Sequence, residues 1–464
     1  MKPHTPLHLI DHSTPCTTAG RLHLSHTNTW KLKNAMATVT LHFTTPPSPE
    51  HHLSLAQVTG VMRNNHFDVE PYPLHEVLTP EPLAPTDHIS SRCLRAREQA
   101  IARIRQYFQS QHFLEVSTPA LVDEPGTDVF LEPFATPFIP EEEVTLSATK
   151  QRPIQGYLNT SPEFLMKRLL GQGYERIWQM TRAWRNGEVT DLHAPEFTCL
   201  EWYRAWEPLE HIIHDTETII RRVIGTTATF YDMHHERQHL DISKPFKRIT
   251  MQELVQECCG FDILNTPDAE SFAEEVYSRG LLRRRRAGVG TNPMFGEERL
   301  GEPVDLDEEV VNLEAWLAIF FELQVTHLDD YLASLGAVVL THWPTQLAVL
   351  AAKNEDDPRV ADRFEIYIGG VECANGFREL TDAVEQRTRF EQDLQQRRQL
   401  GRPMYPMPHK FLSAMERGFP PSSGVALGFD RVLMLATGSR TIREVLPFSM
   451  HRPHGHGPKG PSFG

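Results

Sequence analysis

One stretch constrains this chain more than any other: GYLNTSPEFLMKRLLGQGYERIWQMTRAWRNGEVTDLHAPEFTCLEWYR, from Gly156 to Arg204. Ser161-Pro162-Glu163 opens an apolar-periodic run (Phe164, Leu165, Leu169, Leu170), and Pro suits a first helical turn, so a helix is predicted until Gly171 and Gly173 end it. Arg176 to Met180 and Phe197 to Tyr203 alternate as strands do, with a polar turn between, which predicts a half-buried antiparallel hairpin. The connecting loop carries Arg182, Arg185 and His193, bracketed by Glu163, Glu196 and Glu201. Arg presents a planar fork to phosphate or carboxylate, and strands hold it more firmly than a free loop does. Taken singly, each arginine reads as a solvated surface charge. The whole stretch points to phosphate chemistry instead.

Composition narrows the classes. A chain of 464 residues suits one large domain plus a smaller appended one, and 40% hydrophobic residues are ample for a packed core. A formal net charge of -15 weighs against a broad nucleic-acid footprint. The six cysteines form no CxxC pair, so neither a zinc ribbon nor a disulfide framework is indicated, and a reduced compartment fits. No apolar run approaches the ~20 residues that span a bilayer, and the N-terminus lacks a signal-peptide apolar core. The expectation is a soluble, cytoplasmic protein without a membrane partner.

Residues 1–85 alternate strand-like runs, Ala37 to Phe43 and Ala56 to Met62, with turns, which suits a small antiparallel barrel. A Pro-rich linker covers Pro80 to Pro85, a large domain is expected over 86–450, and the Gly- and Pro-rich tail 451–464 reads as disordered. Arg95 to Phe108 is predicted helical, with Ile101, Ile104 and Phe108 on one face; Leu209 to Val223 is a second helix. Residues 251–336 read as mostly helical, interrupted by Arg283 to Arg286, a solvated charge run, and by a loop from Ala287 to Pro303. His235-Glu236-Arg237-Gln238-His239 satisfies the zinc-protease pattern HExxH. That chemistry needs both histidines on one helical face, whereas Leu240-Asp241-Ile242-Ser243-Lys244-Pro245 reads as strand and turn. Ser161 has no GxSxG setting, so a nucleophilic serine is not supported.

The last third restores the signal. Arg363 to Ile368 and Val371 to Gly376 predict a hairpin about a Gly369-Gly370 turn. Glu372 and Glu379 stand seven apart, and two carboxylates near a strand end suit Mg²⁺ or a substrate ammonium. In Gly424 to Leu433, glycines let a ligand approach the backbone ahead of a helix presenting Arg431.

Together these runs resemble the class II aminoacyl-tRNA synthetases, and within them the lysyl branch. Trp184-Arg185-Asn186-Gly187-Glu188 and His193-Ala194-Pro195-Glu196-Phe197-Thr198-Cys199-Leu200-Glu201-Trp202-Tyr203 stand where that family's motif 2 has Phe-Arg-Asn-Glu and His-Asn-Pro-Glu-Phe-Thr-x-Leu-Glu-Trp-Tyr. Phe113-Leu114-Glu115-Val116-Ser117-Thr118-Pro119 resembles motif 1, Gly424 to Leu433 motif 3, and Glu372 to Asp382 the metal and substrate strand. Val58-Thr59-Gly60 with Phe67-Asp68-Val69-Glu70 looks like the closing strands of an oligonucleotide-binding (OB) barrel.

The resemblance, roughly residues 92–450, implies an α+β fold: an antiparallel sheet flanked by helices, preceded by a small OB-like segment. It implies ATP, Mg²⁺ and a homodimer formed through motif 1. Arg185 would hold the α-phosphate and the substrate carboxylate, and Arg431 the far phosphates and adenine. Asn186, Gly187, Glu372, Cys373 and Gly428 would complete the ATP site, with Glu372 and Glu379 serving the metal; Ser161, Pro162, Glu163, Tyr203 and Glu379 would line a lysine pocket. Thr160-Ser161-Pro162-Glu163 with Met166-Lys167-Arg168, Trp343-Pro344-Thr345-Gln346, and Ala426 in place of a usual Gly resemble the stand-alone ligases that attach β-lysine to elongation factor P. Lysine or β-lysine and elongation factor P are thereby the expected substrate and partner. A lysyl-tRNA synthetase binding tRNA, and a non-catalytic paralogue, remain as alternatives. The sequence departs from the family where Gly187 replaces a Glu and Ala194 an Asn, and in carrying residues 1–85, a segment the stand-alone ligases normally lack.

Overall fold

The alternating segments of the last three quarters of the chain pair into one eight-stranded sheet. In a computed structural model, residues 16–24, 29–33, 38–43, 55–63, 66–69, 75–78, 91–144, 151–232, 234–282 and 308–448 are described. The linker 80–85, the arginine run with its following loop at 283–303, and the tail 451–464 lie outside them. The chain divides into two units, Met1–Leu94 and Arg95–Gly464.

Among the described residues the first unit holds six strands: β1 (Cys16–Leu24), β2 (Trp30–Lys33), β3 (Thr38–Phe43), β4 (Leu55–Arg63), β5 (His66–Val69) and β6 (His75–Leu78). They run in the order β1-β2-β3-β5-β4-β6, and β1 also pairs with β4. The first five strands therefore close into a ring, with β3 and β5 the parallel pair. Five strands closed in this order form a small β-barrel.

In the second unit the sheet runs Lys247–Thr250, Ala337–Pro344, Val360–Ile368, Val371–Arg378, Ser422–Gly428, Glu196–Ala205, Arg176–Trp184, Leu114–Glu115. Only the two outermost pairings are parallel; the interior is antiparallel. Helix Ser91–Ser110 packs on it through Phe108, which stacks on Trp178 at 4.6 Å and meets Trp202 edge-on at 5.5 Å. The expected motif 1 strand contributes just Leu114–Glu115, beside Ile177 and Trp178. The helical region after residue 250 forms a second apolar body around Trp316, Phe320 and Phe272. Its helix Glu308–Leu323 continues through a wider π turn, Gln324–Leu328, into Asp329–Leu335. Among the described residues no helix is long and apolar enough to cross a membrane.

Pro162 stands at the N-cap of helix Glu163–Leu170, consistent with a proline-led first turn. The HExxH motif straddles a turn, with His235 at φ +60°, and a strand, Arg237–Asp241, where His239 Nδ1 lies 3.0 Å from Thr229 Oγ1.

A buried charge ties the first helix to the motif 2 and motif 3 elements. Arg97 donates to Asp430 Oδ1 at 2.6 Å and to the Thr198 hydroxyl, while Thr198 N donates to Asp430 Oδ2 at 2.6 Å. Asp430 is 1% exposed. Arg97→Met leaves that carboxylate without its cation and is expected to destabilise the second unit by ~3–5 kcal/mol, read from its urea unfolding midpoint.

Candidate active site

The face of the sheet between the hairpin Arg176–Trp184/Glu196–Ala205 and the strand Val371–Arg378 opens into a cleft of about 1160 Å³. Arginines gather at one end of it and carboxylates at the other.

The basic end is built where strands finish. The hairpin strand reaches Trp184, so Arg185 follows directly on it, and Arg185 N donates to Pro195 O at 2.9 Å across the loop. Its guanidinium lies 5.1 Å from the Phe197 ring and 3.6 Å from Glu188, and its Nε is buried with no hydrogen-bond partner among the described residues. Gly187 adopts φ +94°, a turn that brings Glu188 to the place beside Arg185. Strand Ser422–Gly428 passes straight into helix Phe429–Thr437, whose first turn presents Arg431. Arg431 donates to Glu372 O at 3.0 Å, to Glu372 Oε2 at 3.2 Å and to His193 Nε2 at 2.5 Å. Burial, then the nearby Arg431 charge, pushes His193 down to about 4. The ring is therefore neutral, accepts at Nε2, and carries its proton on Nδ1, 2.8 Å from Thr190 Oγ1. Burial alone would raise Glu372, yet Arg431, Arg185 and Arg363 hold it below the usual carboxylate range.

The acidic end joins the helix after Pro162 to three strands. Ser161 gives its hydroxyl to Glu201 Oε2 at 2.7 Å while its oxygen accepts from Glu163 N at 3.2 Å, and Tyr203 donates to Glu201 Oε1 at 2.5 Å. Glu379 lies just past the strand Val371–Arg378, 2% exposed, and its N donates to Ser422 O at 2.9 Å. Desolvation pushes Glu201 up to about 7 and Glu379 up to about 8, each assisted by Glu163. An ammonium entering here would restore both charges. Gly424 opens the pocket: a Cβ there would stand 2.2 Å from Tyr203 Cε1 and 2.6 Å from Glu379 Oε1.

Of the residues expected at the site, Arg185, Arg431, Glu372, Cys373, Gly428, Ser161, Glu163, Tyr203 and Glu379 line this cleft. Pro162, Asn186 and Gly187 do not; Asn186 N is spent on Glu132 O at 2.7 Å. Arg182 lies away from the cleft with Glu196, at 3.4 Å. Glu372 and Glu379 are not brought to one ion, because seven strand residues at ~3.3 Å each hold them about 20 Å apart. Glu365 takes that place beside Glu372. It is buried, bonded to Arg363 at 2.5 Å and to the Tyr367 hydroxyl, and desolvation with the Glu372 charge moves it to about 7 against the pull of Arg363. The signal was present: Tyr367 pairs with Glu372 across the Gly369-Gly370 turn, so Glu365 is the diagonal neighbour. Among the described residues no group of three or more His, Cys, Asp or Glu could hold a metal alone. Two carboxylates repelling one another do fit an Mg²⁺ shared with phosphate oxygens.

An antiparallel sheet that aims one arginine from a hairpin and another from the following helix into a cleft is the architecture of a class II synthetase-type, ATP-dependent ligase. The chain belongs to that family: residues 84–452 match the model for tRNA synthetases class II (D, K and N). Among its relatives, a Klebsiella pneumoniae (strain 342) protein named elongation factor P–(R)-β-lysine ligase is 34% identical over 382 residues, 82% of this chain and 100% of the relative. A protein of the same name from Avibacterium paragallinarum is 35% identical over 78% of this chain and 96% of its own length. One from Hamiltonella defensa is 32% identical over 80% and 98%.

Gly424→Ala tests the acidic end. The added methyl displaces Tyr203 and Glu379 while Arg185 and Arg431 stay in place, so amino-acid KM is expected to rise about 10²-fold with ATP affinity unchanged. Separate titrations of the two substrates check it.

Proposed function

We propose that the protein activates lysine or β-lysine with ATP and transfers it to a lysine side chain of elongation factor P. The observation that carries this reading is the charge layout of one cleft, paired arginines for phosphates and a carboxylate at one end and buried carboxylates for amino groups at the other. The relatives that bear the ligase name are matched over almost their whole length, which supports a protein acceptor over tRNA. Glu188 beside Arg185 answers the departure at Gly187, which supports an active enzyme over a non-catalytic paralogue.

In this reading Glu163, Glu201 and Glu379 anchor the amino groups, so the substrate carboxylate points at Arg185. A carboxylate oxygen attacks the α-phosphorus, pyrophosphate leaves, and the aminoacyl-adenylate forms. The neutral acceptor amine then attacks the acyl carbonyl and AMP departs. Arg185 neutralises charge at the α-phosphate, Arg431 at the leaving phosphates, and His193 and Glu372 hold Arg431 in its orientation. Mg²⁺ held by Glu372 and Glu365 would neutralise the phosphate oxygens. Catalysis is positioning and charge stabilisation, with no covalent work for the protein. A homodimer belongs to the same reading, supported by the exposed Leu114 on the element that resembles motif 1. A cytosolic setting is supported by Cys199, Cys258, Cys259 and Cys373, which are free thiols.

Labelled lysine or β-lysine offered with ATP, Mg²⁺, tRNA and elongation factor P is expected to appear in the protein factor, best with β-lysine; label in RNA would sink the proposal. Arg185→Ala is expected to lower pyrophosphate exchange by about 10²- to 10³-fold with the fold intact by circular dichroism. Glu365→Gln should raise the Mg²⁺ concentration needed for half-maximal exchange while amino-acid KM stays unchanged, measured by metal titration.

A further inference from the structure

Lys167, on helix Glu163–Leu170, is 2% exposed and lies behind the acidic end of the cleft, paired with two of its carboxylates. Its Nζ lies 2.6 Å from Glu163 Oε1 and 2.5 Å from Glu379 Oε2, with the Phe377 ring 5.1 Å away. Each carboxylate thus spends one oxygen on Lys167. Glu379 Oε1 has no hydrogen-bond partner among the described residues, although it is wholly buried.

A buried ion triad is a costly way to hold a helix against a strand, since apolar side chains of similar volume often do so equally well or better. The charge of Lys167 therefore calls for a reason beyond packing. Glu163, Glu201 and Glu379 set three carboxylates around one pocket, and Lys167 is the cation directly paired with two of them. With all of them ionised, three negative charges against one positive leave two unmatched. Two is the number of ammonium groups on a diamino acid whose carboxylate is held by Arg185.

We infer that Lys167 is a specificity-determining positioning residue, a built-in counter-ion that sets the charge and the spacing of Glu163 and Glu379 so that the pocket accepts a substrate bearing two ammonium groups. This rests on the reading of the cleft as an amino-acid-activating site. Lys167 acts through the two carboxylates, ordering one oxygen of each and leaving the other for the ligand. Without it the triad becomes two facing carboxylates, which share a proton or move apart and no longer present two anionic contacts.

The test is amino-acid-dependent pyrophosphate exchange and calorimetric binding by the full chain, wild type and Lys167→Met, with L-lysine, (R)-β-lysine and norleucine, alongside ATP binding. The wild type is expected to select the two diamino acids over norleucine. Lys167→Met is expected to raise KM for both diamino acids at least about tenfold, with kcat and ATP affinity little changed, so that selectivity over norleucine collapses. If that variant does not fold, Lys167→Gln keeps a hydrogen-bond donor between the two carboxylates without the charge; the same loss of selectivity is expected. Either folded variant binding lysine as tightly as a lysine-selective wild type would overturn the role of Lys167 and leave the proposed function standing. A wild type that activates neither diamino acid would overturn both.

Discussion

Everything at the site depends on one strand being hydrogen-bonded along both edges. Ser422–Gly428 pairs with Glu196–Ala205 on one side and Val371–Arg378 on the other, which locks the motif 2 hairpin and the carboxylate strand at one sheet spacing. Glycines make that approach possible, one on each face of the sheet. A Cβ at Gly376 would meet Gly424 O at 2.6 Å, and one at Gly424 would enter the Tyr203 ring. The strand also ends in helix Phe429–Thr437, so Arg431 and the floor of the acidic pocket are positioned by one backbone.

That scaffold lets one cleft keep two opposite electrostatic regimes. At the basic end, Arg185 keeps a buried Nε without a hydrogen-bond partner among the described residues, and His193 stays neutral because burial and Arg431 oppose its protonation. At the acidic end, desolvation raises Glu201 and Glu379 because water is excluded and no cation but Lys167 is paired there by the described residues. Each end is poised for a ligand of the opposite sign. The zwitterionic core of an amino acid with a nucleotide phosphate is the kind of molecule that satisfies both at once.

Much of this was legible in the chain because it rests on short-range pattern. The hairpin, the Gly369-Gly370 turn and the strand-to-helix step before Arg431 follow from alternation and turn chemistry within a few residues. What misled was distance along a strand. Glu372 and Glu379 look like neighbours in sequence, yet extended backbone carries them to opposite ends of the cleft. Lys167 lies in a helical run that reads as ordinary amphipathic surface, and nothing local to it reveals burial between two glutamates.

By itself, then, the sequence determined the fold class, the family and most of the side chains facing the cleft, because strand alternation, turn glycines and a strand-to-helix arginine are encoded locally. It could not determine which charges meet. Glu365 with Glu372, Ser161 with Glu201, and Lys167 with Glu379 become partners only when strands far apart in the chain come to lie side by side and exclude water. Tertiary structure alone decided those pairings, because the strength of a charge contact depends on spacing and dielectric, and both are set by packing.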